Sequence, residues 1–493
     1  MSKNVRRKDK SAFSSEIEAF IRTFVEELIN DNAAIFAGAG LSASRGYVNW
    51  KELLRGIAEG LNLDVDRETN LVALAQFHLN ERRNRSELNR RIVAEFSDTR
   101  EPSENHRILA RLPISTYWTT NYDKLIETSL RNGGKIVDVK YDVAQLKTTL
   151  PNRDVVLYKM HGDVDHAEEA VLTKDDYEGY FRKHEPFVTA LSGHLTSKTF
   201  LFLGFSFSDP NIDYVMSRVR VMLHNAPKQQ YCIMRREQKA AKEKKESFAY
   251  RKHQQTFLIK DLQRIGVHTL LVDEYDDITR ILGRIESDYR QRTILVSGSA
   301  DDFQPWEMRD ANRFVANLSR SLIEKHYSIV TGIGLGIGPS VIAGALEPIL
   351  LERLKFRQSQ LIARPFPFAI EDKRERERVH EAYRQQMVDA CGIAIFIFGN
   401  KRKGKETKNA SGVLREFEVA VEKGLKVVPV GATGHAAEEL WRRVDADFDV
   451  YFPQATKAVR KLFSAIGPSA KKDPDELTAT IINLIGAIRR MKG

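Results

Sequence analysis

Two consecutive doubly wound α/β domains are the architecture this sequence predicts, and three observations predict it. The chain has 493 residues, more than one ordinary core accommodates, so two domains are expected. Short, dense apolar strands alternate with amphipathic helical stretches, the pattern of a mostly parallel sheet covered on both faces. That pattern restarts at RTILVSGSA (292–300), after a helical segment at about 277–289. The boundary is therefore placed between domains of residues 1–290 and 291–493.

In the first domain, SEIEAFIRTFVEELI (15–29) sets Ile17, Phe20, Ile21, Phe24, Val25 and Leu28 on one helical stripe, with Ser15 and Glu18 at capping-box spacing. NAAIFAG (32–38) follows as a buried strand. Trp50, Leu53, Leu54, Ile57 and Leu61 form the next stripe, and Asn49 with Glu52 repeats the capping spacing. Further strands are predicted at ISTYWTT (114–120), VVLYKM (155–160), TFLFLG (199–204), YCIMR (231–235) and VHTLLV (267–272). Helical patterns such as IDYVMSRVRVML (212–223) separate several of them.

In the second domain, SLIEKHYSIVTGIGLGIGPSVIAGALEPIL (321–350) supplies a helix, a short strand, a glycine-rich turn and another helix. Gly332, Gly334, Gly336 and Gly338 could cradle an anionic ligand with backbone amides. IARPFP (362–367), CGIAIFIFGN (391–400) and LKVVPVGATG (425–434) add strands, with helices at about 377–390 and 412–423. In KKDPDELTATIINLIGAIRR (471–490), Leu477, Ile481, Ile482, Leu484, Ile485 and Ile488 mark a final amphipathic helix that completes the core or meets another subunit.

Composition narrows the function. No apolar run approaches the length of a membrane helix, and MSKNVRRKDK leads into an amphipathic segment rather than a secretory core, so a cytosolic location is expected. Cys232 and Cys391 are the only cysteines, which excludes a four-cysteine zinc module; no metal is expected. A balance of 77 basic against 67 acidic side chains favours anionic ligands such as nucleotides. The basic residues are interspersed with acids, so specific nucleic-acid binding is not indicated. The clusters RREQKAAKEKKE (235–246) and NKRKGKETKN (400–409) read as solvated faces or loops.

In an open parallel sheet the ligand belongs beyond the carboxyl ends of the strands, where GAGLS, TNYD, HGD and GFSFSDP all fall. Gly38 and Gly40 can take positive φ and admit a phosphate to backbone amides at a helix start, although a tight buried turn would look the same. The departure from G-x-G-x-x-G argues against a dehydrogenase fingerprint. Asn121 can donate to and accept from ribose hydroxyls or water without titrating, and His161 can carry a proton near neutrality. Asp209 in FSFSDPN reads as a cap for the following helix, with a carboxylate base as the alternative. Lys159 and Asp163 flank the histidine, with the strand alternation leaving their facing open.

As a set these motifs resemble a sirtuin-like NAD-binding domain over about residues 15–285. GAGLS is similar to the family's glycine loop, TTNYD stands at its threonine-glutamine-asparagine-x-aspartate motif, His161-Gly162 at its histidine-glycine pair, and Gly204-Phe205-Ser206 at its later glycine-x-serine loop. The resemblance implies that Gly38, Ala39, Gly40 and Ser42 line the dinucleotide. It places Asn121 and Asp123 at the nicotinamide ribose, His161 as the base, and Gly204 and Ser206 on the adenosine side. The chain departs from deacylating sirtuins in lacking their zinc cysteines. It also carries Gly46-Tyr47-Val48-Asn49-Trp50 where they have proline-aspartate-phenylalanine, and Thr120 for their glutamine. Cleavage of NAD without an acyl-lysine partner is the expectation, with NAD as substrate and no true cofactor.

The second domain lacks G-x-x-x-x-G-K-[ST] and is similar to the SLOG superfamily of Rossmann-like nucleotide sensors in VSGSA, TGIGLGIG and PVGATG. A sirtuin-like domain followed by a SLOG domain resembles the NAD-consuming effector of the Thoeris antiphage system. That resemblance implies hydrolysis of NAD to nicotinamide and ADP-ribose, switched on by a cyclic ADP-ribose isomer that a TIR-domain partner makes. It further implies a homo-oligomer, a tetramer, and signal contacts from Arg384, Lys401 and Glu416; on their own, Arg384 and Glu416 read as polar helix positions. The alternatives are an ADP-ribosyltransferase and a non-enzymatic nucleotide-binding scaffold.

Overall fold

The computed structural model describes residues 13–207, 209–223, 227–367, 369–470 and 473–491. The leader MSKNVRRKDK lies outside them. The chain divides into two compact units, Met1–Glu286 and Ser287–Gly493.

The first unit is built on strands β1 (Ala33–Ala37), β2 (Thr116–Thr119), β3 (Val137–Lys140), β4 (Val155–Lys159), β5 (Thr199–Leu203), β6 (Gln230–Arg235) and β7 (Val267–Val272). They form one parallel sheet in the order β3-β4-β2-β1-β5-β6-β7. Every residue of β1 and β5 is buried, because helices cover both faces and leave these strands no wet side. Phe36 stacks on Phe202 with ring centroids 5.1 Å apart, and Trp118 on Tyr158 at 4.3 Å. Burying such a side chain contributes roughly 1.5–3 kcal/mol, so this aromatic layer fixes the register of the strands whose ends carry the site.

The helix Ser15–Ile29 buries all six of its predicted stripe residues. Its cap is Ser14, whose hydroxyl accepts from the Ile17 amide at 3.3 Å, so the Ser15/Glu18 box is one residue out of register. Asn49 caps its helix as expected, accepting from the Glu52 amide at 3.0 Å, but the Glu52 carboxylate turns to Arg55 at 2.8 Å instead of closing the box. β3 and the helices Leu71–Arg82, Ser86–Phe96 and Glu104–Arg111 are additions to the sequence reading.

The second unit has β8 (Thr293–Ser299), β9 (Ser328–Thr331), β10 (Leu361–Ala363) and β11 (Ile393–Phe398), then a hairpin of β12 (Asn400–Lys403) and β13 (Glu406–Asn409), then β14 (Lys426–Pro429). Its parallel sheet runs β10-β9-β8-β11-β14. The strand predicted at 362–367 is cut to three residues, since Pro365 and Pro367 cannot donate to a ladder. NKRKGKETKN is an antiparallel hairpin, exposed from Lys401 to Lys408 with Asn400 buried, turning where Gly404 takes φ +68°. The glycine-rich turn of 332–338 is shaped by contact with the chain itself: a Cβ on Gly334 would lie 1.8 Å from the Gly298 carbonyl oxygen. The C-terminal helix Pro474–Arg489 buries Leu477, Ile481, Leu484, Ile485 and Ile488 in this unit's core, with Ile482 packed at its margin.

Candidate active site

A cleft of about 830 Å³ opens at the carboxyl ends of the first unit's strands, within the size range of ligand sites. Ala39, Gly40, Ser42, Asn121, Asp123, His161, Gly204 and Ser206 line it, brought together from the ends of β1, β2, β4 and β5. Gly38 stands behind the wall and works through its carbonyl, which accepts from Asn121 Nδ2 at 3.1 Å.

The glycine loop is built differently from expectation. Gly38 is extended at φ −110° and Gly40 sits inside the short helix Ala39–Ala43, so neither uses positive φ. Close approach is the reason for both glycines: a Cβ on Gly38 would meet the Gly204 carbonyl oxygen at 2.5 Å, and one on Gly40 would meet the Gly204 Cα at 2.8 Å. The left-handed residue is Gly204, at φ +62°. The β1 and β5 loops are thus pressed together, with the Gly40 amide donating to the Gly204 carbonyl at 2.9 Å.

Asn121 is buried and fixed by its own amide, with Nδ2 donating also to Ser42 Oγ at 3.1 Å. Both donor hydrogens are used in this way, which aims the amide oxygen as the group for a ligand. Behind it lies a buried charge cluster. Lys159, fully buried, donates to the carbonyls of Tyr122 at 3.0 Å and Asp123 at 2.8 Å, to Glu127 at 3.2 Å and to Asp163 at 2.5 Å. Burial works against the Lys159 charge, but Glu127 and Asp163 outweigh it and raise the ammonium's affinity for its proton. Lys159 and Asp163 therefore both face inward and tie the Asn121 loop to the His161 loop.

His161 is 5% exposed, its ring edge-on to Tyr177 with centroids 5.6 Å apart. Its Nε2 lies 3.0 Å from Asp209 Oδ2, at ion-pair distance but without a hydrogen bond aligned along it. Asp209 is the expected helix cap, Oδ1 accepting from the amides of Asn211 at 2.9 Å and Ile212 at 3.2 Å, while its second oxygen meets the histidine. Burial pushes the Asp209 carboxyl up, yet His161 and the two amides outweigh this and hold it below the usual carboxylate range. Tyr177, Trp50, Arg235 and Tyr275 also line the cleft; Tyr177 and Tyr275 escaped the sequence reading because no local motif marks them, and Arg235, read there as the start of a solvated cluster, faces the cleft instead. Among the described residues no cluster suited to a metal occurs.

In the second unit Glu416 is buried, accepting from Ser297 Oγ at 2.6 Å, and its other oxygen lies 3.8 Å from Arg384 Nε. The Arg384 guanidinium sits 5.1 Å from the centre of the Phe366 ring. Lys401, on β12, donates to Ser411 Oγ at 2.9 Å, and Arg384 Nη2 would be 3.5 Å from a Cβ on the adjoining Gly412. The three predicted residues thus converge on the start of the helix Ser411–Glu422.

Two Rossmann-like units follow one another in the chain, the first with a cleft at its strand ends, and family comparison makes this a sirtuin-like protein carrying a SLOG domain. A model of the "SIR2-like domain" matches residues 115–257, and one of the "Sir2- and TIR-associating SLOG family" matches 277–488. The chain is 46% identical over 470 residues to the NAD(+) hydrolase ThsA of Bacillus cereus (strain MSX-D12), covering 95% of this chain and 98% of that one. It is 44% identical to the NAD(+) hydrolase ThsA of Acinetobacter baumannii (strain 532279), covering 97% and 100%, and 40% identical to that of Cytobacillus dafuensis, covering 98% of each. The chain belongs to the ThsA family of NAD(+) hydrolases. No helix among the described residues is long and apolar enough to cross a membrane.

Proposed function

We propose that the first unit hydrolyses NAD+ to nicotinamide and ADP-ribose, and that a cyclic ADP-ribose isomer bound at Arg384, Lys401 and Glu416 of the second unit switches this on. The observation that carries the reading is that Asn121 and His161 line the same cleft, in a chain similar over nearly its whole length to NAD(+) hydrolases.

Nicotinamide leaves as a neutral molecule, taking the electron pair of the C1′–N bond, so departure needs little acid assistance. The ribose and an attacking water need to be fixed instead. Asn121, immobilised by Gly38 and Ser42, offers its amide oxygen to ribose and water. The water oxygen bonds to C1′ as the C1′–N bond breaks, and its proton passes to His161, directly or through a ribose hydroxyl. General-base assistance of this kind contributes about 10²–10⁴-fold.

In the second unit, the guanidinium of Arg384 and the ammonium of Lys401 suit pyrophosphate oxygens, and Glu416 suits ribose hydroxyls. The signal can act only by binding the active assembly more tightly than the inactive one. The chain forms a homo-oligomer, a tetramer that rearranges or assembles further on activation, and the signal comes from a TIR-domain partner; both statements rest on the family resemblance. NAD depletion in an infected cell is the outcome.

The test is to incubate the purified full-length chain with NAD+, with and without cyclic ADP-ribose isomers. Nicotinamide and ADP-ribose in equal amounts are expected, rising with the active isomer. ADP-ribose attached to a macromolecule would instead make the protein a transferase, and intact NAD+ under all conditions a scaffold. Asn121→Ala and His161→Ala should each cut nicotinamide release by about 10²–10⁴-fold while signal binding persists. Arg384→Ala should lose the response to signal and keep NAD+ binding.

A further inference from the structure

The structure assigns Asp209 a second role beyond capping its helix: we infer that it is the positioning carboxylate of His161, orienting the ring and holding the proton that the ring accepts. The inference rests on the reading of His161 as the base.

Each oxygen of Asp209 has a separate task. Oδ1 is committed to the amides of Asn211 and Ile212, which locks the carboxylate to the start of the helix Pro210–Met222. Oδ2 is left over, 3.0 Å from His161 Nε2 and 3.4 Å from the Tyr177 hydroxyl, which donates to it. A helix cap alone needs the first oxygen only, and serine or asparagine would serve it equally. Here the helix start also carries a charge into the wall of the cleft, where Asp209 is 9% exposed.

Among the described residues, Asp209 is the carboxylate within ion-pair reach of His161. The other groups around the ring are neutral or polar: Tyr177 from the helix Lys174–Lys183, His184 at the start of the helix Glu185–Ser197, and Asn121 in the lining of the same cleft. With Nε2 turned to Asp209, Nδ1 is the nitrogen available to take the proton released by water. The imidazolium so formed then donates from Nε2 to Oδ2, and a small rotation of the ring brings that bond into line. The charge created in the transition state is met by a carboxylate already in place, and the proton stays on the imidazole.

The sign of the effect on pH dependence follows. His161 must be neutral to accept a proton, so activity falls as pH drops through its pKa. Asp209 favours the imidazolium; removing its charge moves that fall to lower pH and lowers the plateau. Asp209→Asn and Asp209→Ser both keep a capping oxygen and lose the charge. NMR titration of the His161 ring in the unliganded full-length chain, assigned by its absence in His161→Gln, should show its midpoint moved to lower pH in both variants. With NAD+ as probe, under the condition in which the wild type is most active, kcat should fall roughly 10–100-fold. KM should stay within about threefold, and the acid limb should shift with the NMR midpoint. An unchanged midpoint and acid limb would reduce Asp209 to a helix cap and overturn the inference. If the wild type released no nicotinamide at all, the hydrolase reading would fail instead, while the titration would still decide whether the pair exists.

Discussion

Each unit sets a cation beside carboxylates, fully buried at Lys159 and half-buried at Arg384, and the two clusters differ in how closely that cation is held. Lys159 in the first unit has four oxygen partners within 3.2 Å. Arg384 in the second holds Glu416 only at 3.8 Å, and its Nε is buried with no hydrogen-bond partner. Glu381, 3.8 Å from Arg384, is engaged more closely by Arg415 at 2.7 Å. Burial pushes the Glu416 carboxyl up, and neither Ser297 nor Arg384 cancels this. A buried polar atom without its partner is costly, and both clusters keep one, Glu127 Oε2 in the first and Arg384 Nε in the second; what separates them is how closely the cation is held. The first cluster ties the Asn121 and His161 loops together; the second, with its cation loosely held, is the one proposed above to take the signal.

The largest effect should come from opening the closed cluster. Lys159→Met leaves Asp163, Glu127 and two backbone carbonyls buried without their cation, and breaking a buried pair from one side costs roughly 3–5 kcal/mol. Urea unfolding of the first unit should show a loss of that size. Adding Asp163→Asn and Glu127→Gln should restore part of it; a loss below about 1 kcal/mol would mean the cluster is not what joins the Asn121 and His161 loops.

A smaller effect separates the units by pH. Burial pushes the His106 imidazole down to about 4, and Ser103 holds the neutral form through Nδ1 at 2.7 Å. Because the unfolded chain takes up this proton near pH 6.5, the contribution is intact above that value and lost progressively as pH falls toward 4. At pH 5 the loss is roughly 2 kcal/mol. Hydrogen exchange at pH 7 and pH 5 should show the helix Glu104–Arg111 and its neighbours weakening, and His106→Gln should shrink the difference.

How much of this was legible in the sequence depends on the range of the interaction. Apolar period and glycine punctuation are local, and they placed most strands and the loops carrying Asn121 and His161. The fit of Gly38 and Gly40 against Gly204 was not legible, because it depends on β1 and β5 being neighbours; a run of glycines reads as positive φ until the partner strand is known. Asp209 shows the same limit. Its cap is written in the next three residues, whereas its contact with His161, 48 positions earlier in the chain, comes from packing alone. Lys159 reads as an ordinary strand residue, and only the return of the Asn121 loop over it makes it a buried charge.

The smallest stability effect should be at the open cluster, and it is the sharpest test of the contrast. Arg384→Ala removes a cation that makes no aligned hydrogen bond to Glu416, and the carboxyl that remains keeps its bond from Ser297 and can take up a proton. The expected change in unfolding free energy is therefore below about 1 kcal/mol, against the several expected at Lys159. Calorimetry with each cyclic ADP-ribose isomer should meanwhile show binding weakened at least tenfold, since a guanidinium lost from a pyrophosphate removes a charge-assisted pair. Should Arg384→Ala instead unfold the second unit as Lys159→Met is expected to unfold the first, the arginine would belong to the scaffold, and the distinction between a tightly held cation and a loosely held one would collapse.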